Sequence, residues 1–291
     1  MPFNQSQLDE IVHKYHTDGY VVIDGLIPDE LYEPLCTAAD EVTAKGRAHE
    51  WKDVRMVGKQ FPPWVEGDDV WGIQNIMHPD LAQPVFAKWY GSDDLLDVSA
   101  ALMGVSRDDM QFELFNILVN PLEKNYALSW HRDDIKATAT AEEEEEELKI
   151  KHYSIQWNVA LYDDACLTAI PRSHNRVRTS AERKANLEGG EMPGAQTLTL
   201  KKGQGVFYNN NIMHVGKYNL AVKRRTLHGC YGCPPAGDTS RARNLLQHGL
   251  GYATNPSFKS TLPSTLWPMV DRLNGLQASM VGVEQVYSQD L

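Results

Sequence analysis

Cysteine is scarce in this 291-residue chain: Cys36, Cys166, Cys230 and Cys233 are too few and too scattered for a secreted disulfide framework. Reduced thiols are therefore expected. Long apolar runs are missing as well, since no window approaches the roughly 18 residues of a membrane span. The opening MPFNQSQLDE lacks the basic and apolar regions of a signal peptide, so a cytoplasmic location is the expectation. Positive charge is also in short supply: the net charge is −11, and Lys and Arg are scattered among more numerous acids. A surface that tracks phosphates needs its cations in clusters. Neither nucleic acid nor a membrane is an expected partner. No internal repeat is present, which removes solenoids and propellers from consideration.

What is there fits a globular fold. Apolar residues make up 42%, and aromatics run along the whole length, which is enough to bury a sizeable core. Mainly-β domains with added helices reach this size as single units, so residues 1–291 are expected to form one domain. The pair Cys230 and Cys233 has metal-ligand spacing but no second pair, and Pro234-Pro235 follows where a thioredoxin-like helix would start. Two thiols at the end of a strand is the expected outcome.

The first 110 residues predict a mostly helical scaffold. Leu8, Ile11, Val12 and Tyr15 have helical spacing and end near Gly19, and the β-branched run YVVIDGLI follows. Pro28-Asp29-Glu30 opens a second helix reaching towards Lys45, with acids at the positive end of its dipole. Residues 46–70 look turn-rich. Two short helices are expected between Pro79 and Gly104, broken at Gly91-Ser92-Asp93. From Gln111 the texture changes to short strand-like runs (FELFNILVN, YALSW, YSIQWNVALY, TLTL, GVFYNN, RTLHGCYG) separated by turn residues. These give an all-β core over 111–235, followed by a helical segment over 236–291. Within the core, the consecutive glutamates Glu142 to Glu147 repel one another and predict a solvated, mobile insertion over 137–150.

The stretch WHRDDIK raises the question of a metal site. The H-x-D spelling occurs three times, at His16–Asp18, His78–Asp80 and His131–Asp133. Residues i and i+2 face one side only when the backbone is extended. The first pair closes a helix and the second opens one, so only His131 and Asp133, which leave a strand, can share a ligand. Two imidazoles and one carboxylate would hold a metal while leaving positions open. His214, after GQGVFYNN, is the best candidate for the second histidine, with His152, His174 and His228 as competitors.

H-x-D, a distal His214 and Arg225 eleven residues beyond it resemble the phytanoyl-CoA dioxygenase-like family of iron(II)- and 2-oxoglutarate-dependent oxygenases. The segments YHTDGYVVIDGLIPDELYEPL, WGIQNIMHPDLAQPVFAKWYGSDDLLDVSAALMG and WNVALYDDACLTAIPRSH are similar to further blocks of the family. Arg172 stands where the family usually has glycine, and Gly216 where some members offer a hydroxyl.

The resemblance implies a double-stranded β-helix, a cupin-like jelly roll. It also implies iron held by His131, Asp133 and His214, with 2-oxoglutarate and O₂ as cosubstrates. Arg225 would receive the distal carboxylate of 2-oxoglutarate, and Arg224, its neighbour, would face the other way. Trp157 would lie against the same cosubstrate. Strand alternation nominates Phe112, Ile155, Tyr208 and Asn210 as substrate-pocket liners, with Arg172 or Lys136 as partners for an acidic substrate.

The implied reaction converts 2-oxoglutarate to succinate and CO₂ while oxidising a C–H bond of a small metabolite. Hydroxylation is the expected outcome, with desaturation, ring closure and epimerisation as variants; with Asp133 in place, halogenation is not expected. A catalytically silent jelly-roll binding protein and a zinc hydrolase are the competing readings. A small molecule is the expected partner, together with a second copy of the chain where it self-associates as a homodimer.

Overall fold

The even and odd positions of the longest strands carry different chemistry, and that difference organises the fold. This computed structural model describes residues 3–62, 64–151 and 153–283, with the backbone alone at 243 and 244. His152 and the end of the expected C-terminal helical segment, 284–291, lie outside the described residues.

The larger sheet is built from β1 (Tyr20–Ile23), β2 (Val54–Met56), β3 (Val70–Ile73), β4 (Gln111–Val119), β6 (Ser154–Ala160), β9 (Gly205–Tyr208) and β11 (Arg225–Gly232). Its spatial order is β1-β9-β6-β11-β4-β3-β2. The smaller sheet contains β5 (Tyr126–Ala127), β7 (Leu167–Ala169), β8 (Gln196–Thr197) and β10 (His214–Tyr218), in the order β5-β10-β7-β8. All pairings are antiparallel. The two sheets form a cupin-like jelly roll with helices on the outer face of the larger one.

Those helices follow the local signals. In α1 (Gln5–Asp18), Asn4 and Gln7 form a capping box, and Gly19 ends the helix at φ 82°. Gly19 also admits His174, whose Nδ1 would lie 2.5 Å from a Cβ at that position. Helix α2 (Asp29–Arg47) starts on Asp29 and Glu30 as expected. The pair α3 (Pro84–Tyr90) and α4 (Asp93–Met103) breaks at Gly91-Ser92 and stops at Gly104. With α9 (Trp267–Ser279) they cover the larger sheet.

On β6, Ile155, Trp157 and Val159 face these helices, and on β11 Leu227 and Tyr231 do the same. Tyr90 and Trp157 each stack on Tyr231 with ring centroids 4.5 Å apart, and Tyr90 also meets Phe115 at 5.2 Å. The intervening positions, polar or small, face the space between the sheets.

Two expectations need correction, and one departure from the family pattern finds its geometry. Residues 46–70 contain strand β2, paired through β3 to β4, where only turns were expected. Arg172 takes φ 62°, a conformation in which glycine is at ease, and its N–H donates to the Asp18 carbonyl at 2.8 Å. That explains why glycine usually fills this position in the family it resembles.

The second correction concerns the glutamates. They are not a loop: α5 (Ala141–Glu147) is a helix with a capping box between Thr140 and Glu143. Five of the run keep some exposure, but Glu144 is fully buried. Its Oε1 accepts from Arg132 Nε and Arg178 Nε, both at 2.9 Å, and its Oε2 accepts from Arg183 Nη2 at 2.8 Å. Self-repulsion along the run is outweighed because one carboxylate has three guanidinium neighbours. Burial pulls Arg132 down to about 10 against the opposing attraction of Glu144, so it remains charged at neutral pH.

Glu144→Ala would strand buried cations and should cost about 3–5 kcal/mol, read as a lowered urea midpoint. Glu142→Ala and Glu145→Ala should stay within about 0.5 kcal/mol of the parent.

Candidate metal centre and its cavity

His131 leaves β5 extended and pairs directly with the first residue of β10, His214. The backbone N–H of each donates to the carbonyl of the other, at 3.1 and 3.0 Å. Their rings therefore lie side by side with centroids 4.2 Å apart. Asp133, two residues on, is brought to the same side, and its N–H donates to the Asn210 carbonyl at 3.0 Å. Asp133 Oδ1 lies 3.6 Å from His131 Nε2 and 3.8 Å from His214 Nε2.

The orientation of each group suits a metal ion. His131 Nδ1 lies 2.8 Å from the Ser129 carbonyl and His214 Nδ1 lies 2.9 Å from the Ile212 carbonyl. With Nδ1–H donating to these carbonyls, both Nε2 lone pairs point to the shared space. Burial, and then the neighbouring His214, push His131 well below the usual histidine value, so it is neutral at neutral pH. Gln156 Nε2 donates to Asp133 Oδ2 at 2.5 Å, turning Oδ1 towards the imidazoles. The three ligand atoms lie within 4.8 Å of one another, and among the described residues no other His, Cys, Asp or Glu joins them. Two imidazoles and a carboxylate on one side fit a ferrous ion with open positions.

Arg132, between two of these groups, points the opposite way and is 1% exposed. Besides Glu144, it donates to the Ser173 and Arg176 carbonyls at 2.8 Å and to the Asn211 carbonyl. Asn211 precedes His214 by a single turn of chain. Thus one buried side chain ties the H-x-D segment to the distal histidine's approach.

The competing histidines do other work. His174 Nε2 lies 3.2 Å from the His16 carbonyl, and His228 Nδ1 lies 2.9 Å from Asn158 Oδ1 on the cavity wall. The other two H-x-D pairs end α1 and cap a 3-10 turn, as the sequence indicates.

A cavity of about 140 Å³ opens beside the cluster, between the sheets. Tyr208 and Asn210 line it as expected. Ile155 and Trp157 do not, because the apolar side of β6 faces the helices and Gln156 and Asn158 face the cavity. Phe112 is turned away by a register shift opposite Gly229 and Tyr231 that reverses the alternation of β4. Lys136 and Arg172 are also outside the lining; Arg172 is exposed, with Nε 3.4 Å from Asp18.

The arginine pair is the reverse of the expectation. Arg225 Nε donates to Asp40 Oδ1 of α2 at 2.8 Å, on the helical side. Arg224 faces the cavity, with its guanidinium over the Tyr218 ring at 4.8 Å. Its Nε donates to Asp164 Oδ2 at 2.9 Å, while Nη1 is buried with no partner among the described residues. Burial opposes the Arg224 charge, but Asp164 outweighs it and raises the guanidinium above its ordinary value. An orphaned donor on a cavity wall suits a carboxylate ligand. Sequence reasoning missed Gln156, Arg224 and Asp164; the signal was present in the polar alternation of β6 and β11.

Residues 15–227 match the model of the phytanoyl-CoA dioxygenase (PhyH) family. No curated protein matches the chain. The fold is similar to that of AviO1 from Streptomyces viridochromogenes Tue57, with 17% identity, TM-score 0.57, and coverage of 80% of this chain and 98% of that one. It is also similar to EctD from S. alaskensis, crystallised with 2-oxoglutarate and 5-hydroxyectoine, at 18% identity, TM-score 0.57 and coverage of 80% and 77%. A third likeness is the non-heme alpha ketoglutarate dependent carbocyclase SnoK from nogalamycin biosynthesis, at 18% identity, TM-score 0.53 and coverage of 80% and 87%.

Asp133→Ala should abolish stoichiometric binding of Co(II), followed by its visible absorption, with the circular dichroism unchanged. Gln156→Leu should weaken binding by about 10–100-fold, whereas His174→Gln should leave it unaltered.

Proposed function

The chain belongs to the phytanoyl-CoA dioxygenase family of iron- and 2-oxoglutarate-dependent oxygenases, and on that premise we propose that His131, Asp133 and His214 hold the iron and Arg224 anchors the cosubstrate. The observation that carries this reading is the meeting, in one cavity, of a three-donor cluster with a buried arginine that has a donor to spare. Iron, when bound, couples oxidative decarboxylation of 2-oxoglutarate to oxidation of a substrate C–H bond.

The chain's own residues prepare that chemistry. Nδ1 donation to Ser129 and Ile212 fixes both imidazoles, so neither ring must rotate to bind. Gln156 holds Asp133 in one orientation. Arg224, kept charged by Asp164 and seated on Tyr218, offers Nη1 to the distal carboxylate of 2-oxoglutarate. A guanidinium in a buried wall binds an anion more strongly than it would in water. Arg225 and Trp157, expected at this contact, instead support the helical side of the sheet.

Hydroxylation of a small metabolite is the proposed outcome, being the commonest in the family. Among the described residues no helix is long and apolar enough to cross a membrane. The buried, unpaired cysteines support the reducing conditions of the cytoplasm as the working compartment.

Succinate formation should require both iron(II) and 2-oxoglutarate. Verified metal binding without any succinate would favour a silent binding protein, and turnover of a hydrolysable ester under anaerobic conditions a hydrolase. Arg224→Gln should raise the 2-oxoglutarate requirement at least about tenfold, as loss of a charge-assisted hydrogen bond does. Arg225→Gln should change that requirement less than about twofold and lower the thermal midpoint instead.

A further inference from the structure

Among the described residues three arginines stand on the cavity walls, and two of them have a carboxylate behind them. Arg224 pairs with Asp164 at 2.9 Å and Arg241 with Glu113 at 2.6 Å. The third is Arg55, on β2. It is 7% exposed and faces the cavity. Among the described residues it has neither a carboxylate partner nor a hydrogen-bond acceptor, and its Nε is buried without one.

The fold presents this side chain deliberately to the cavity. Arg55 lies opposite Gly72 on β3, and a Cβ on Gly72 would come within 3.0 Å of Arg55 Cδ. The absent side chain is what lets the arginine lie across the strand. Trp64 and Trp71 then flank the guanidinium, with ring centroids 5.2 and 5.3 Å from Cζ. Two aromatic rings hold the planar group in place and shield it from water, but supply no acceptor in the plane of its N–H bonds.

The surroundings do not neutralise it either. Burial, followed by Arg55 and Arg241, pulls His248 down to about 3, and burial with Arg55 and Arg224 next holds His228 well below its usual value. Both imidazoles are neutral at neutral pH. The carboxylate that acts on Arg55 is Asp133, which belongs to the three-donor cluster rather than to Arg55. An unpaired buried guanidinium is unfavourable until an anion arrives.

We propose that Arg55 is the substrate's carboxylate anchor, and that the small molecule oxidised here carries an acidic group which Arg55 receives through a two-pronged hydrogen bond. The assignment rests on the oxygenase reading above. Arg224 provides for the distal end of 2-oxoglutarate from the start of β11, in the middle of the larger sheet, whereas Arg55 reaches the cavity from β2 at its edge, beside Trp64, Phe61 and Gln60. The two guanidiniums thus serve different carboxylates.

The test uses the full chain, anaerobic and loaded first with iron(II) and then with 2-oxoglutarate, each step followed by calorimetry. Benzoate and its uncharged counterpart benzamide are then titrated as probes. Benzoate should bind at least tenfold more tightly than benzamide, and Arg55→Met should remove that preference while 2-oxoglutarate affinity stays within twofold. Arg55→Lys, which retains the charge and a packed stem, should keep part of the preference; it also serves if the methionine variant does not fold. Equal binding of the two probes by the parent protein overturns the proposal. So does an Arg55→Met protein that loses 2-oxoglutarate affinity tenfold yet still prefers benzoate, since Arg55 would then belong to the cosubstrate. A chain that takes up neither iron nor 2-oxoglutarate in the first two titrations fails at the oxygenase reading rather than here.

Discussion

Arg132 sits between two members of the His131, Asp133 and His214 cluster in sequence and points away from both. Everything at the centre depends on where that one guanidinium is fixed. Its contacts with Glu144 and with the carbonyls of Ser173, Arg176 and Asn211 draw three separate pieces of chain around a fully buried charge. A cation in such a place is tolerated only with a counter-ion and near-complete hydrogen bonding. The direct backbone pairing of His131 with His214 closes the other side. The three-residue cluster is therefore preorganised by groups that lie outside it.

The second constraint is the two-faced character of the larger sheet. On β6 and β11 one set of alternate residues is bulky and apolar, and the other is polar or small. The bulky set meets the helices, where burial of aromatic area stabilises the fold. The polar set is left to face the space between the sheets, where it lines the cavity. The functional cavity is thus the counterpart of the hydrophobic core, and the same strands specify both.

Much of this was legible in the sequence. The extended geometry required of an H-x-D pair singled out His131 and Asp133 from two decoys, and His214 followed from its place after a strand. The helical scaffold and the β-rich second part also follow from periodicity. What was missed has a common physical origin. Which face of a strand points inward is a one-residue decision: alternation placed Ile155 in the cavity, and the family resemblance placed Trp157 and Arg225 there. The alternation of Gln156 and Asn158 with Ile155, Trp157 and Val159 already carried the opposite answer. Phe112 was beyond such reasoning, because a register shift in β4 resets the alternation. Strands β2 and β3 are too short to announce themselves, yet they carry Arg55 and Trp71. Glu144 looks identical to its neighbours until the distant arginines that surround it are known.

The glutamate tract has one more property. Thr140 fixes where the helix begins, so the cap and the buried carboxylate are the third and fourth residues counted from that threonine's successor side, Glu143 and Glu144. Because every position nearby is the same amino acid, losing or gaining one codon within the tract would still deliver glutamate to both places, and the change in length would surface at the solvent end near Glu147. The repetition itself thus leaves the position of the clamp set by Thr140 and independent of the length of the tract.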